Sequence, residues 1–358
     1  MPFPLKENIL RFITQGQGDF AALAQEVFAY QFAHNSPYRR LCEQQGITPE
    51  TLAHWRDIPP VPTTAFKFVT LACEPVEQAQ AVFISSGTTH GPATRSRHFM
   101  FHLDLYRAAI IHWFAPHLLP DRARLPMLVL MPPPKEMPHS SLAYMMGVVV
   151  ETFGTAGSGF YFRHGELQVQ ALIAALEAAV EPVCLLGPSF SFLHFLEACA
   201  QRGVRLHLPP GSRLMDTGGF KGRAREVPRE ELYAALAETL GLGETFCVNE
   251  YGMAEMSSQF YDRVAGQPTP RRQQGPPWVR TVIVDPETLR EVLPGEVGLL
   301  RHYDLANLGS VMALQTEDWG RAVGDGFELL GRAPGAEAKG CSLLIEEMLE
   351  AKAPRQLS

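Results

Sequence analysis

The chain has 358 residues, 46% hydrophobic and 19% charged, enough to bury a large core in one big domain or two unequal ones. Its 31 Lys and Arg against 38 Asp and Glu give a net charge of -7 with no basic tract, which argues against a nucleic-acid partner. No apolar run reaches the length of a membrane span, and Met1-Pro2-Phe3-Pro4-Leu5-Lys6-Glu7 lacks the regions of a signal peptide. Six cysteines (Cys42, Cys73, Cys184, Cys199, Cys247, Cys341) form no CxxC pair, so free thiols in a reducing compartment and a cytoplasmic enzyme are expected.

From Phe20 to Gln45 the chain reads as helix, because Ala22, Leu23, Val27, Phe28 and Phe32 recur three and four apart. Ile58-Pro59-Pro60-Val61-Pro62-Thr63-Thr64-Ala65-Phe66-Lys67 follows, either a rigid connector or a polyproline ligand for another protein. Strand and helix patterns then alternate from Ala81. Strands are predicted at Leu125–Met131, Val183–Leu186, Val204–Leu208 and Thr245–Val248, and helices at His98–Trp113, Leu167–Val180, Phe190–Gln201 and Arg229–Leu240. That alternation predicts an α/β fold, a parallel sheet covered by helices. Beyond Gly275-Pro276-Pro277, short strands at Trp278–Val284, Gly298–Tyr303 and Phe327–Leu330 lie between Pro, Gly and Asp turns, which predicts a smaller β-rich subdomain. The expected organisation is a helical segment and connector over 1–75, an α/β core over 76–270, a β-rich subdomain over 271–330, and a hinge and short tail over 331–358.

Within this frame, Phe83-Ile84-Ser85-Ser86-Gly87-Thr88-Thr89-His90-Gly91 ends a β-branched run, with Arg95-Ser96-Arg97-His98 just beyond. Hydroxyls and backbone N–H groups around a glycine can converge on a polyphosphate, and two arginines can add charge-assisted bonds. No G-x-x-x-x-G-K-[ST] loop occurs, and alone the cluster also fits an ordinary solvated loop. Asp216-Thr217-Gly218-Gly219-Phe220-Lys221-Gly222-Arg223 is a second glycine-rich turn, suited to lying flat on a nucleobase or to being a plain surface turn. In Cys247-Val248-Asn249-Glu250-Tyr251-Gly252-Met253-Ala254-Glu255, the acid at the loop's end is a hard oxygen ligand suited to Mg²⁺, and Tyr251 offers a flat face. Last come Thr316-Glu317-Asp318 and Gly331-Arg332. A short carboxylate can accept both hydroxyls of a ribose, and the arginine can reach ribose or phosphate; both also suit hairpin turns. His98 and His102, four apart on a predicted helix, could share a face, but no third zinc ligand stands at a convincing spacing.

Singly each motif is weak; their order resembles the adenylate-forming superfamily of acyl-CoA synthetases, luciferase-like enzymes and peptide-synthetase adenylation domains. A closer resemblance, over nearly the whole chain, is to the Lux-type acyl-protein synthetases, the fatty-acid-activating subunits of bacterial fatty-acid reductase complexes. It rests on Ile58–Lys67, Ser85–Thr89 with Arg95-Ser96-Arg97-His98, Thr217–Arg223, Asn249–Glu255 and Gly331–Leu343. The resemblance implies an acyl-CoA synthetase-like large domain with a β-rich subdomain, the swivelling C-terminal domain and its adenylation lysine being largely missing. It also implies a reaction: a carboxylate attacks the α-phosphate of ATP, and the acyl group of the resulting adenylate passes to a protein cysteine. Carried over by position, Ser85, Ser86, Gly87, Thr88 and Thr89 hold phosphates, Gly218 and Gly219 line the adenine, and Tyr251 and Gly252 pack by the nucleotide. On the same grounds Glu255 carries Mg²⁺, Asp318 takes the ribose hydroxyls, and Arg332 takes ribose or phosphate.

Three departures qualify the match: His90 where a glycine is usual, Ala254 where a threonine is usual, and the missing lysine. Arg95, Arg97 and Lys221 are the cations left to assist adenylation. Cys341 stands where the family carries its acylated cysteine, with Cys247 as fallback. The implied partners are a fatty or other carboxylic acid, an acyl reductase and an acyltransferase subunit. The acid is expected to lie among apolar residues near His139–Val150 and Phe190–Phe195. Two other readings stay open, an acyl- or aryl-CoA ligase and a catalytically weak nucleotide- or acyl-binding protein.

Overall fold

The computed structural model describes residues 3–85, 95–218 and 227–332. Ser86, Gly87, Thr88, Thr89, Gly219, Lys221 and Cys341 therefore lie outside the described residues. In chain order the elements begin with α1 (Phe3–Gln15), α2 (Phe20–His34), α3 (Ser36–Gln44), β1 (Val61–Pro62), β2 (Ala81–Ile84), β3 (Arg97–Met100) and α4 (Leu103–Leu118). The middle of the chain holds β4 (Met127–Val129), α5 (Ser141–Phe153), β5 (Gly159–Phe160), β6 (Phe162–Arg163), β7 (Glu166–Leu167), α6 (Val169–Glu177), β8 (Cys184–Pro188) and α7 (Ser189–Arg202). Then follow β9 (Arg213–Thr217), α8 (Arg229–Leu240), β10 (Cys247–Tyr251), β11 (Phe260–Tyr261), β12 (Val279–Val284), β13 (Val297–Asp304), β14 (Ala313–Val323) and β15 (Gly326–Arg332). Among the described residues no helix is long and apolar enough to cross a membrane.

The chain packs into two compact units: Met1–Ala109 with Met253–Ser258 and Gln274–Ser358, and Ile110–Gly252 with Gln259–Gln273. The second holds a six-stranded sheet in the order β11-β10-β9-β8-β4-β5. All neighbours in it are parallel except β11, which runs antiparallel to β10. Strands covered on both faces read as apolar runs, and Met127, Leu128 and Val129 or Cys184, Leu185 and Leu186 are such runs, all buried. Leu128, Leu185, Leu214 and Cys247 from the strands pack with Leu172, Phe192, Phe195 and Leu236 from the helices in one core. Each such Leu or Phe stabilises the unit by roughly 1.5–3 kcal/mol relative to exposure. α5 starts where Ser140 Oγ accepts from Ala143 N at 3.1 Å, and α7 stops at Gly203, whose φ of 65° suits glycine.

The first unit combines α1–α3, the β2–β3 hairpin and a five-stranded sheet, β1-β14-β13-β12 with β15 also on β14. β1 lies in the proline-rich connector and pairs parallel to β14 through Val61↔Leu314 and Pro62↔Gln315. Val61–Pro62 of the connector is thus a short strand at the sheet's edge, where proline is tolerated, and Thr63–Lys67 forms a 3-10 helix.

Three local expectations change. The helix predicted over Phe20–Gln45 is two helices, because Asn35 takes extended backbone and its Oδ1 caps α3 by accepting from Tyr38 N at 3.3 Å. Val204–Leu208 is not a strand: Leu206 N and Leu208 N donate to the carbonyls of Thr239 and Leu240 at the end of α8. The strand is Arg213–Thr217, whose buried Arg213 bonds Asp121 at 2.6 Å. Finally, Arg97–Met100 is a strand and the helix starts only at Leu103. His98 and His102 therefore share no helix face, and the described residues contain no group of three or more His, Cys, Asp or Glu that could hold a metal.

Candidate active site

In the first unit, β2 and β3 pair antiparallel with Phe83↔His98 and Ile84↔Arg97 in register. Ser85 continues the pairing: its N donates to Ser96 O at 3.1 Å, and its Oγ accepts from Ser96 N at 3.1 Å. The hydroxyl- and glycine-rich segment thus springs from a hairpin base, with Arg97 exposed on that base.

Behind Arg97 stands a residue whose role the sequence did not reveal. His98 is buried, its ring edge-on to Phe66, and its Nδ1 lies 2.9 Å from the carbonyl oxygen of Ala254. A carbonyl only accepts, so Nδ1 carries the proton. Burial pushes this histidine down to about 4, so it is neutral at physiological pH. Glu255, the next residue after Ala254, is itself buried, and its backbone carbonyl accepts from Asn307 Nδ2 at 2.8 Å.

Asp318 and Arg332, predicted from separate motifs, are brought together. They are register partners on β14 and β15, and Arg332 Nε donates to Asp318 Oδ1 at 2.9 Å. Asp318 is buried and Arg332 is exposed, so the carboxylate is anchored while the guanidinium faces solvent. Thr316 orders the approach: its Oγ1 donates to Leu300 O at 2.8 Å and accepts from Asp318 N at 3.1 Å.

In the second unit, β9 and β10 run parallel with Asn249↔Asp216 and Glu250↔Thr217 in register. Gly218, just past β9, and Tyr251-Gly252, the last residue of β10 and the one after it, therefore lie side by side at the carboxyl ends of neighbouring strands, where α/β sheets place ligands. Gly218 has φ +70, a conformation that favours glycine. A Cβ on Gly252 would stand 2.5 Å from Glu250 Oε1, whose other oxygen accepts from Thr217 Oγ1. Tyr251 is buried, its ring 5.7 Å from Phe260.

Asp216 beneath this edge is fully enclosed. It accepts from Tyr233 OH at 2.6 Å, Ser189 Oγ at 2.7 Å and Asn249 Nδ2 at 3.2 Å, while burial raises its pKa. Ser189 Oγ also lies 3.0 Å from Gly218 O, so the turn is tied to α7. In the sequence Asp216 reads as the first residue of a turn; only its burial reveals a network.

The five cysteines among the described residues are alike. Cys42, Cys73, Cys184, Cys199 and Cys247 are all buried free thiols. Burial pushes Cys42, Cys184 and Cys247 up to about 12, and raises Cys73 and Cys199 too. A thiol so disposed yields little thiolate, the attacking species, which counts against Cys247 as an acceptor.

A Mg²⁺ ion fits this donor set in one way. It is commonly bound by one or two carboxylates plus substrate phosphates rather than by an all-protein cage. A single carboxylate, Glu255, on a loop whose neighbouring carbonyls are already bonded matches that need.

Solved adenylate-forming ligases share the fold. An open conformation of 2-hydroxyisobutyryl-CoA ligase in complex with 2-HIB-AMP and CoA matches with a TM-score of 0.65 at 17% identity, covering 86% of this chain and 68% of that one. ATP-bound MatB from Rhodopseudomonas palustris matches with a TM-score of 0.50 at 15% identity, covering 72% of this chain and 49% of that one. Two relatives align over almost the full length. The long-chain-fatty-acid–luciferin-component ligase of Vibrio harveyi is 25% identical over 346 residues, 92% of this chain and 88% of that protein. Its counterpart from Aliivibrio fischeri is 22% identical over 344 residues, with the same coverage. The family model for acyl-protein synthetase, LuxE, matches residues 19–350, and the chain belongs to that family of ligases.

Proposed function

We propose that the chain uses ATP to activate a carboxylic acid as its acyl-adenylate and then takes the acyl group on its own Cys341. In the first step the carboxylate oxygen bonds the α-phosphorus and pyrophosphate leaves. In the second, the thiolate of Cys341 bonds the acyl carbon and AMP leaves. The names of the two relatives make a long-chain fatty acid the first substrate to test, and the family resemblance makes an acyl reductase and an acyltransferase subunit the partners to test.

This chain's residues divide the work by chemistry. Ser85 anchors the base from which Ser86, Gly87, Thr88 and Thr89 offer N–H and hydroxyl donors to the phosphates. Gly218 and Gly219 let backbone approach the adenine, and Tyr251 with Gly252 bounds its pocket. Asp318 takes the ribose hydroxyls, held by Thr316, and Arg332 stands ready for ribose or phosphate. Arg97 and Lys221 supply positive charge for the leaving group. Glu255 would hold Mg²⁺, which supplies charge compensation to a departing pyrophosphate when bound.

What supports the thioester step is the family match over residues 19–350; the five cysteines among the described residues are buried, which weighs against them as the acceptor. The test is incubation with ATP and a labelled fatty acid, with and without coenzyme A. The parent takes up a hydroxylamine-sensitive label; Cys341→Ser loses it while keeping acid-dependent pyrophosphate exchange. A label that persists in Cys341→Ser would overturn the assignment.

A further inference from the structure

The loop Met253–Ser258 that carries Glu255 is gripped from two sides within the first unit. On one side His98 Nδ1 donates to Ala254 O at 2.9 Å. On the other, Asn307 Nδ2 donates to Glu255 O at 2.8 Å, and Asn307 Oδ1 accepts from Ser257 Oγ at 2.6 Å. Asp304, three residues before Asn307, accepts from Ser257 N at 3.0 Å and Ser258 Oγ at 2.8 Å. His98, Asn307 and Asp304 are each at most 2% exposed, so these bonds face no competition from water.

The two grips have different origins. Asp304 is the last residue of β13, and Asn307 lies in the link from β13 to β14. His98 belongs to β3, where it pairs with Phe83, two residues before Ser85. The hairpin that presents the phosphate-binding segment is thereby bonded directly to the peptide preceding Glu255. Two successive carbonyls, at Ala254 and Glu255, are fixed by donors from separate elements, which leaves the Glu255 backbone little freedom.

We propose that His98 and Asn307 are positioning residues that set Glu255 relative to the phosphate hairpin, so that the metal-binding carboxylate is preorganised for a metal–nucleotide complex. This rests on the reading of Glu255 as the Mg²⁺ ligand. Groups that orient a metal ligand typically cost on the order of ten- to a hundredfold in metal affinity when removed. The same loss is expected here. Asn at position 98 can donate from near the place of Nδ1, whereas Phe keeps the ring's bulk against Phe66 and donates nothing.

The experiment uses the full chain with α,β-methylene-ATP, which cannot release pyrophosphate, and Mn²⁺ as the probe. Free Mn²⁺ is followed by electron paramagnetic resonance, and thermal midpoints are recorded alongside. His98→Phe raises half-saturating Mn²⁺ roughly ten- to a hundredfold, while His98→Asn stays within about threefold of the parent. Asn307→Ala, which removes the opposite grip, gives the decisive reading if His98→Phe fails to fold. Glu255→Gln separates the two ideas. If Glu255→Gln loses Mn²⁺ but His98→Phe and Asn307→Ala bind it like the parent, the positioning role is wrong and the ligand assignment stands. Equal losses in His98→Phe and His98→Asn also overturn it, because the hydrogen bond is then not the cause. If Glu255→Gln binds Mn²⁺ like the parent, the ligand assignment fails and the positioning role falls with it.

Discussion

Acidification should destabilise the first unit through His302, and the size follows from its surroundings. This residue sits on β13 opposite Thr281 of β12, fully buried, with Nδ1 2.9 Å from Thr281 Oγ1. Burial disfavours the imidazolium and pushes the group down from 6.5 to about 3. The folded pKa is depressed, so the unfolded chain binds more protons as pH falls below 6.5, and stability present above that pH is lost. Between pH 6.5 and pH 5 the loss is roughly 2 kcal/mol, at about 1.4 kcal/mol per pH unit. His98, held at about 4, contributes a similar loss over the same window. Asp304 opposes them: burial raises it to about 6, so the folded state takes up its proton first and regains roughly 1.4 kcal/mol between pH 6 and pH 5. The net loss from pH 8 to pH 5 is then roughly 2–3 kcal/mol for these three groups. Guanidinium unfolding followed by tryptophan fluorescence suits the test, because Trp55, Trp278 and Trp319 lie in the first unit and only Trp113 in the second. His302→Asn cannot titrate in this range, so its loss should be smaller than the parent's by roughly 2 kcal/mol. The same pH dependence in both proteins would refute the reasoning.

Phe195→Ala opens a cavity at the centre of the second unit's core and should cost about 3–5 kcal/mol, read as a lower unfolding midpoint. Gly252→Ala sets a Cβ against Glu250, so it should displace that carboxylate from Thr217 and weaken binding of an ATP analogue measured by calorimetry. Asp318→Asn breaks the pair with Arg332, which is largely exposed and contributes no more than about 1 kcal/mol, so the melting midpoint should move little. A rise of about tenfold in KM for ATP, with that small change in midpoint, marks the ribose role; an unchanged KM removes it.

The alternation of strands and helices was legible because parallel strands buried on both faces are written as plain apolar runs, as at Met127–Val129 and Cys184–Leu186. Arg213–Thr217 escaped notice for the opposite reason. Its Arg213 and Asp216 look like surface residues, and their partners Asp121, Ser189, Tyr233 and Asn249 come from distant points of the chain. Val204–Leu208 has a strand's composition but spends its N–H groups on the end of a helix. Of the site, the motif order was readable, and with it the family. The pairing of Asp318 with Arg332 was not, since it depends on the register of a hairpin with an irregularity between Trp319 and Gly320. The bond from His98 to Ala254 spans 156 residues and leaves no local pattern.

Acid-dependent ATP–pyrophosphate exchange is the decisive assay for acid activation by ATP. The purified chain is assayed with Mg²⁺, labelled pyrophosphate and saturated carboxylic acids of graded length, in the absence of coenzyme A. Exchange that requires the acid and strengthens toward long chains is the predicted result. No exchange with any acid, at enzyme concentrations high enough to see a few turnovers per hour, would contradict it.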